Sequence, residues 1–184
     1  MSDDLKFYTE RTAELDEGRR NAIIRLCVEA HNEPDFENLF NYLPPDGLHI
    51  LAYLGERLVS HAVVTTRRMQ PEGHPILTSA FVDAVSTAPD LQGRGYGSAM
   101  MRYLADVIAS DYEIAGLHTD DKQHFYTQVG WEAWRGALAG READGELSFT
   151  PEQKGNIMIL RLPRTPALNL DGLLTIEVSG RIWE

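Results

Sequence analysis

The stretch FVDAVSTAPDLQGRGYGSAMM, Phe81 to Met101, leaves a strand, crosses a glycine-rich turn and enters a helix directly. Ile76 to Thr87 reads as the strand, with Leu77, Phe81, Asp83 and Val85 on one face by period-two alternation. Asp83 is then a carboxylate on a mostly apolar face. Ala88-Pro89 stops that strand. Beyond Gln92-Gly93-Arg94-Gly95-Tyr96-Gly97, the residues Met100, Met101, Leu104, Val107 and Ile108 recur at helical spacing, with Arg102 and Asp106 on the solvent side. Glycines let the backbone approach a ligand. Successive N–H groups at the turn and helix start, reinforced by the helix dipole, suit a pyrophosphate, and Arg94 adds a side-chain donor. A Gly-x-Gly turn alone also serves positive φ. The spacing is not Gly-x-Gly-x-x-Gly, and no opening βαβ unit precedes it, which excludes a dinucleotide fold.

Working outward, residues 5 to 12 read as a first strand, and Asp16 caps a helix to about Ala30 with Ile23, Leu26, Cys27 and Ala30 on one face. The polar stretch HNEPDFEN follows. Leu48 to Leu54 and Arg57 to Met69 form a hairpin through Gly55-Glu56, whose leading glycine suits a type II′ turn. Downstream come a short strand near Tyr112 to His118, a helix capped by Thr119 or Asp120, and a stop at Gly130. Gly140 to Gly155 reads as a loop, Ile157 to Leu162 as an apolar strand, and Leu173 to Val178 as a last strand after a proline-punctuated tail. There is no internal repeat, and 184 residues suit a single domain over 1–184.

The balance of 17 Lys plus Arg against 28 Asp plus Glu gives a net charge of -11, which argues against a nucleic-acid partner, whose phosphates need a basic stripe, and favours small cationic substrates. Cys27 is the single cysteine, so no intrachain disulfide framework exists, and its helical apolar setting makes it a core residue. The acidic N-terminus is unlike a secretory signal and no apolar run reaches a membrane span, so a cytoplasmic protein with no membrane partner is expected. The histidines at 31, 49, 61, 74, 118 and 124 have no metal-ligand spacing, no Gly-x-Ser-x-Gly elbow occurs, and Trp131 and Trp134 suit packing. No metal is expected.

Gln-x-x-Gly-x-Gly after a hydrophobic strand and Pro, followed by a helix, resembles the acetyl-CoA motif of the GNAT superfamily. HAVVTTRRM, FVDAV, FYTQVGW, TPEQKG and the ending in Ile-Trp-Glu resemble, more narrowly, the aminoglycoside 2′-N-acetyltransferases from about residue 20 onward. The resemblance implies an α/β GNAT fold, a mixed and mostly antiparallel sheet flanked by helices, and a homodimer. It implies acetyl-CoA as co-substrate, with its pantetheine arm on backbone groups of Val85 and Thr87 and its pyrophosphate on Gly93, Arg94, Gly95, Tyr96, Gly97 and Ser98 after Gln92. Tyr126 matches the family tyrosine near the thioester sulfur, and Asp83 stands where the attacking amine's proton is accepted. Asp35, Glu152 and the Trp183 segment with Glu184 match positions that face a cationic acceptor, and Asp83 borders the same acceptor. Each residue type also has a plainer use: Tyr126 and Trp183 in packing, Asp35 and Glu152 as solvated acids.

The chemistry accounts for these types. An ammonium must lose a proton before it attacks a carbonyl, the carbonyl oxygen then gains charge, and a thiolate must leave. A carboxylate with a pKa of ~3.9 is a poor direct base for an ammonium, so Asp83 works through water or has its pKa raised by the apolar face. A backbone N–H at Val85 suits the oxyanion. A phenol at ~10 is a weaker acid than a thiol at ~8.5, so Tyr126 mainly hydrogen-bonds the departing thiolate. Arg181 replaces an acidic family position, and Glu37 stands in for a second acid after Asp35. Rival readings are another small amine as acceptor, such as a polyamine or peptide amine, and a catalytically idle acyl-CoA or antibiotic binder.

Overall fold

The structure, a computed structural model, describes residues 4–180, 182 and 183. In chain order its elements are β1 (Leu5–Arg11), α1 (Glu17–His31), α2 (Leu39–Tyr42), β2 (Leu48–Leu54), β3 (Arg57–Pro71), β4 (Leu77–Thr87), α3 (Tyr96–Ile108), β5 (Ile114–His118), α4 (Gln123–Gln128), β6 (Glu132–Ala133), β7 (Leu138–Arg141), β8 (Leu147–Phe149), β9 (Ile157–Arg161) and β10 (Leu174–Glu177). The architecture is α/β, a mixed sheet flanked by helices. Two compact units divide it: one takes the chain up to Thr65 together with Val82–Asp106, the other takes Thr66–Phe81 and the chain from Val107 on. Strands β3 and β4 supply residues to both.

In the first unit β1 pairs antiparallel with β2, and β2 with β3. The β2–β3 hairpin turns on Gly55 at φ 58, the position where a type II′ turn demands a left-handed residue. Asp16 caps α1 by accepting the Arg19 N–H at 2.8 Å. Ile23 and Cys27 of α1, with Leu39 of α2, pack on Leu51, Val63 and Ala84. Each buried aliphatic side chain contributes roughly 1.5–3 kcal/mol relative to exposure. The HNEPDFEN stretch is more ordered than its polarity suggests. Pro34 opens a 3-10 turn to Asn38, and Leu39 is fully buried behind it.

The second unit runs in the order β6-β9-β5-β4-β3-β10-β7-β8. β10 pairs antiparallel with β3 and parallel with β7, which makes the sheet mixed. Its core joins Met69, Phe81, Trp134, Ile157, Ile176 and Trp183. A Cβ at Gly116 would stand 2.9 Å from the Met69 sulfur, so the Met69 side chain would have to shift to admit one. The stretch expected to be a loop, Gly140 to Gly155, contains a hairpin instead: β7 pairs with β8 across a turn with Gly145 at φ 88. Its charged and hydroxyl residues hide the strand signal. Trp131 and Trp134 are buried, in keeping with packing, and the Trp134 indole N–H donates to Gly172 O at 2.9 Å. Among the described residues no helix is long and apolar enough to cross a membrane.

Candidate active site

Strand β4 runs on to Thr87 but leaves the extended conformation at one residue where its chemistry is expected. Ala84 has φ 50, a left-handed conformation that costs an L-residue roughly 1–2 kcal/mol. The backbone leaves the extended pleat at that one residue, and Asp83 and Val85 are half-buried where Leu77 and Phe81 are buried. The Asp83 carboxylate folds back to accept the Ala84 N–H at 2.6 Å, a charge-assisted bond that fixes its direction.

The carbonyl of Val85 lies 3.1 Å from His31 Nε2, which is also 3.1 Å from Ser86 Oγ. A carbonyl only accepts, so His31 presents Nε2–H. His31 ends α1 and stacks on Phe36 at 4.7 Å. The 3-10 turn that carries the exposed Asp35 and Glu37 is thereby anchored to β4. Ser60 Oγ donates to Ser86 O at 2.8 Å and lies 2.9 Å from Thr87 Oγ1, so the Thr87 hydroxyl donates to Ser60.

After β4, the Gln92 side-chain amide donates to Thr87 O at 3.1 Å and holds the glycine turn to the strand end. Gly93 and Gly95 have φ 75 and 88, and the space a side chain would take at either is open. The first turn of α3 closes with Ala99 N–H donating to Gly95 O at 2.9 Å. The N–H groups of Tyr96, Gly97 and Ser98 therefore stand at the helix end where intrahelical acceptors run out. Arg94 is exposed beside them. Arg57 meets Asp90 with two short bonds of 2.8 and 2.6 Å. That contact, with Arg94 adding to it, holds the Asp90 carboxyl below its ordinary range and pairs the acid nearest the turn. Unhindered left-handed glycines, free-facing helix amides and a local guanidinium fit a diphosphate.

Tyr126, Glu152 and Trp183 belong to the second unit. Tyr126, on α4, is buried with its ring edge-on to Trp131 at 6.2 Å. Thr119 Oγ1 accepts the Lys122 N–H at 3.1 Å ahead of α4, and Gly130 at φ 95 follows its end. Glu152 is exposed on the 3-10 turn Pro151–Gln153. Trp183 is 3% exposed, and its indole N–H donates to Thr150 Oγ1 at 2.9 Å. The C-terminal segment is thus tied to the start of the turn that carries Glu152. Arg67 adds a second tie, donating to Glu177 Oε1 at 3.0 Å and to Glu177 O at 2.8 Å. Glu184 and Arg181 lie outside the described residues.

Asp35, Asp83, Val85, Thr87 and the Gln92–Ser98 turn share the first unit. Sequence reasoning missed His31, Arg57 and a buried pair, His49 and His61, both with no exposed surface. The available signal was a histidine inside an uninterrupted apolar strand run, in LHIL and SHAVV. Among the described residues no group of three or more His, Cys, Asp or Glu side chains is placed to hold a metal ion.

The model of the Acetyltransferase (GNAT) domain family matches residues 11–134. An aminoglycoside 2′-N-acetyltransferase from Mycolicibacterium fortuitum is 26% identical over 176 residues, covering 94% of this chain and 89% of that protein. Among solved structures, Escherichia coli ElaA superposes with a TM-score of 0.59 at 17% identity, over 86% of this chain and all of that one. A GCN5-related N-acetyltransferase from Kribbella flavida gives 0.57 at 19% identity over 74% of this chain. This chain spans only 34% of that structure's length. Both structural likenesses bear on the fold.

Proposed function

This chain belongs to the GNAT acetyltransferases, enzymes that draw on acetyl-CoA to acetylate amines, and from that premise we propose that its acceptor is an aminoglycoside, acetylated at the 2′ amine. The observation that carries the cofactor part is the turn after β4: two left-handed glycines with open space ahead of an α-helix. Gly93 to Ser98 supply backbone donors to the diphosphate, Arg94 a guanidinium, and Val85 and Thr87 the strand edge for the pantetheine arm. The acceptor part is supported by the Mycolicibacterium fortuitum relative, by the -11 net charge, and by exposed Asp35 and Glu152. The family model draws on residues of both units, which supports 1–184 as one acetyltransferase domain.

When bound, acetyl-CoA supplies an activated thioester carbonyl. One C–N bond forms and one C–S bond breaks. The acceptor ammonium sheds two protons, one of which ends on sulfur and the other in water. Asp83 takes the first proton through water, and its carboxylate is held in place by the Ala84 N–H. Val85 N–H faces the developing oxyanion, and the Tyr126 hydroxyl donates to the departing sulfur. Asp35 and Glu152 hold ammonium groups of the acceptor, and Trp183 steadies the Glu152 turn through Thr150.

Free thiol released from acetyl-CoA with a kanamycin-type, spermidine or peptide acceptor tests this. Release with the aminoglycoside alone supports the proposal. Release with spermidine or peptide only moves the acceptor to another amine, and release with none leaves an acyl-CoA binder.

A further inference from the structure

A non-glycine residue at positive φ inside a strand persists only where its surroundings over-determine it. At Ala84 the surroundings are side chains of the first unit. The Ala84 carbonyl oxygen lies 3.1 Å from His61 Nδ1, 3.2 Å from Ser86 Oγ and 3.9 Å from Cys27 Sγ. Behind His61 a chain continues inward. His61 Nε2 is 2.9 Å from His49 Nδ1, and His49 Nε2 is 3.0 Å from Thr12 Oγ1. Both rings are wholly buried. Phe40 stacks on His49 at 5.6 Å. The charged or titratable neighbours are Cys27 and Arg20 on α1 and Asp83 on β4.

Among the ring contacts to nitrogen and oxygen, one neutral arrangement makes every one a bond; Cys27 Sγ, at 3.7 Å from His61 Nδ1, is the longer competing contact. If the Thr12 hydroxyl donated to Gly47 O, which lies 3.2 Å away, His49 would have to donate through Nε2 and accept at Nδ1. His61 would then donate through Nε2 and turn a bare Nδ1 lone pair on the Ala84 carbonyl. The opposite direction has no such clash. Thr12 O–H donates to His49 Nε2, His49 Nδ1–H to His61 Nε2, and His61 Nδ1–H to Ala84 O. Gly47 O keeps a partner in the Thr12 backbone N–H at 2.8 Å. A charged ring is disfavoured, since burial lowers His49 to about 4 and His61 to about 3.

We propose that Thr12, His49 and His61 are positioning residues whose one-way hydrogen-bond relay ends on the Ala84 carbonyl, holds the left-handed turn of β4, and thereby aims Val85 N–H and the Asp83 carboxylate for acyl transfer. The catalytic consequence rests on the function proposed above. The relay itself does not.

Two readouts keep the parts separate. On the wild-type protein, 15N NMR of the histidines gives the tautomers, and the amide–Hα coupling together with the intraresidue amide–Hα NOE gives φ and its sign at Ala84. The expected result is Nδ1–H on both His49 and His61 with positive φ at Ala84, whatever the acceptor proves to be. Nε2–H on His61 overturns the relay even without turnover data. Kinetics and calorimetry follow on His61→Phe, which removes the donor, and on His61→Asn, whose amide nitrogen takes the place of Nδ1. His61→Phe is expected to lower kcat by roughly 10- to 100-fold, since small misplacements of reacting groups cost on that scale. Its acetyl-CoA Kd and acceptor KM should stay within a few-fold, and His61→Asn should restore most of kcat. Wild-type kcat in a folded His61→Phe overturns the positioning role. If His61→Phe does not fold, the tautomers and Ala84 coupling of the wild type decide.

Discussion

His61 Nδ1 lies 3.1 Å from the carbonyl oxygen of Ala84, so a fully buried imidazole on β3 holds the residue at which β4 leaves its pleat. The next residue, Val85, is also bonded through its carbonyl by His31 from the end of α1. Two histidines from different elements therefore fix successive peptide groups beside Asp83, and the rigidity of this strand end comes from side chains.

The buried pair makes stability depend on pH with a definite sign. Burial is the main cause of both lowered values, about 4 for His49 and about 3 for His61, and each also meets a nearby cation, Arg20 or the other ring when protonated. Unfolded histidine takes up its proton near ~6.5. Stability from keeping these rings neutral is fully present above that pH. It falls as pH drops from there to about 3, because the unfolded chain binds protons that the native one refuses. The urea midpoint should decline over this window in wild type and less steeply in His61→Asn. Parallel declines in the two proteins would contradict this.

Gly95→Glu should abolish acetyl-CoA binding in a folded protein. Gly95 has φ 88 and open space, so the new side chain meets no protein atom but is backbone-strained and puts a carboxylate into the anion cradle. Gly95→Ala should weaken binding far less. Calorimetry on both checks this, and undiminished affinity in Gly95→Glu would move the diphosphate site elsewhere.

On the proposed mechanism, in which the hydroxyl acts as the thiolate forms, Tyr126→Phe should lower kcat by ~10²-fold or more and leave both KM values near wild type. Asp83→Asn should instead shift the pH dependence of kcat/KM by removing the proposed proton acceptor. Steady-state profiles distinguish the two, and wild-type turnover in Tyr126→Phe would return that ring to packing against Trp131.

Trp183→Ala should cost about 3–5 kcal/mol, the usual range for emptying a buried aromatic site. Trp183→Phe keeps most of the packing and loses the bond to Thr150. It should cost ~1 kcal/mol and weaken acceptor binding by loosening the Glu152 turn. Thermal melts and acceptor titrations read these separately.

The hairpin at Gly55, the stop at Ala88-Pro89 and the glycine turn before α3 were legible because each signal is local in sequence: a turn residue, a breaker and an apolar period. The left-handed residue was not. Alanine has no preference for positive φ, and nothing in the pattern of β4 betrays a broken pleat at Ala84. What holds it comes from residues 12, 27, 49 and 61, contacts that no local pattern encodes. Asp35 was singled out by its match to a family position, but its attachment to β4 runs through His31 and Phe36, whose stacking is likewise non-local. The β7–β8 hairpin was hidden by its own polar residues.

On the proposed acceptor site, affinity should fall as salt rises, since exposed Asp35 and Glu152 would act on cationic groups through screened interactions. Asp35→Asn and Glu152→Gln should each weaken acceptor binding and flatten its salt dependence, leaving acetyl-CoA affinity unchanged. Titrations at several salt concentrations check this, and identical slopes in wild type and variants would remove both acids from the acceptor site.

The most direct measurement is the product itself. The protein is incubated with acetyl-CoA and a kanamycin-type aminoglycoside, and the product is analysed by mass spectrometry and NMR. A single added acetyl group on the 2′ nitrogen, formed with one free thiol per acetyl, is the predicted result. Unmodified aminoglycoside from a protein that still binds acetyl-CoA, or an acetyl group on another nitrogen, would contradict it.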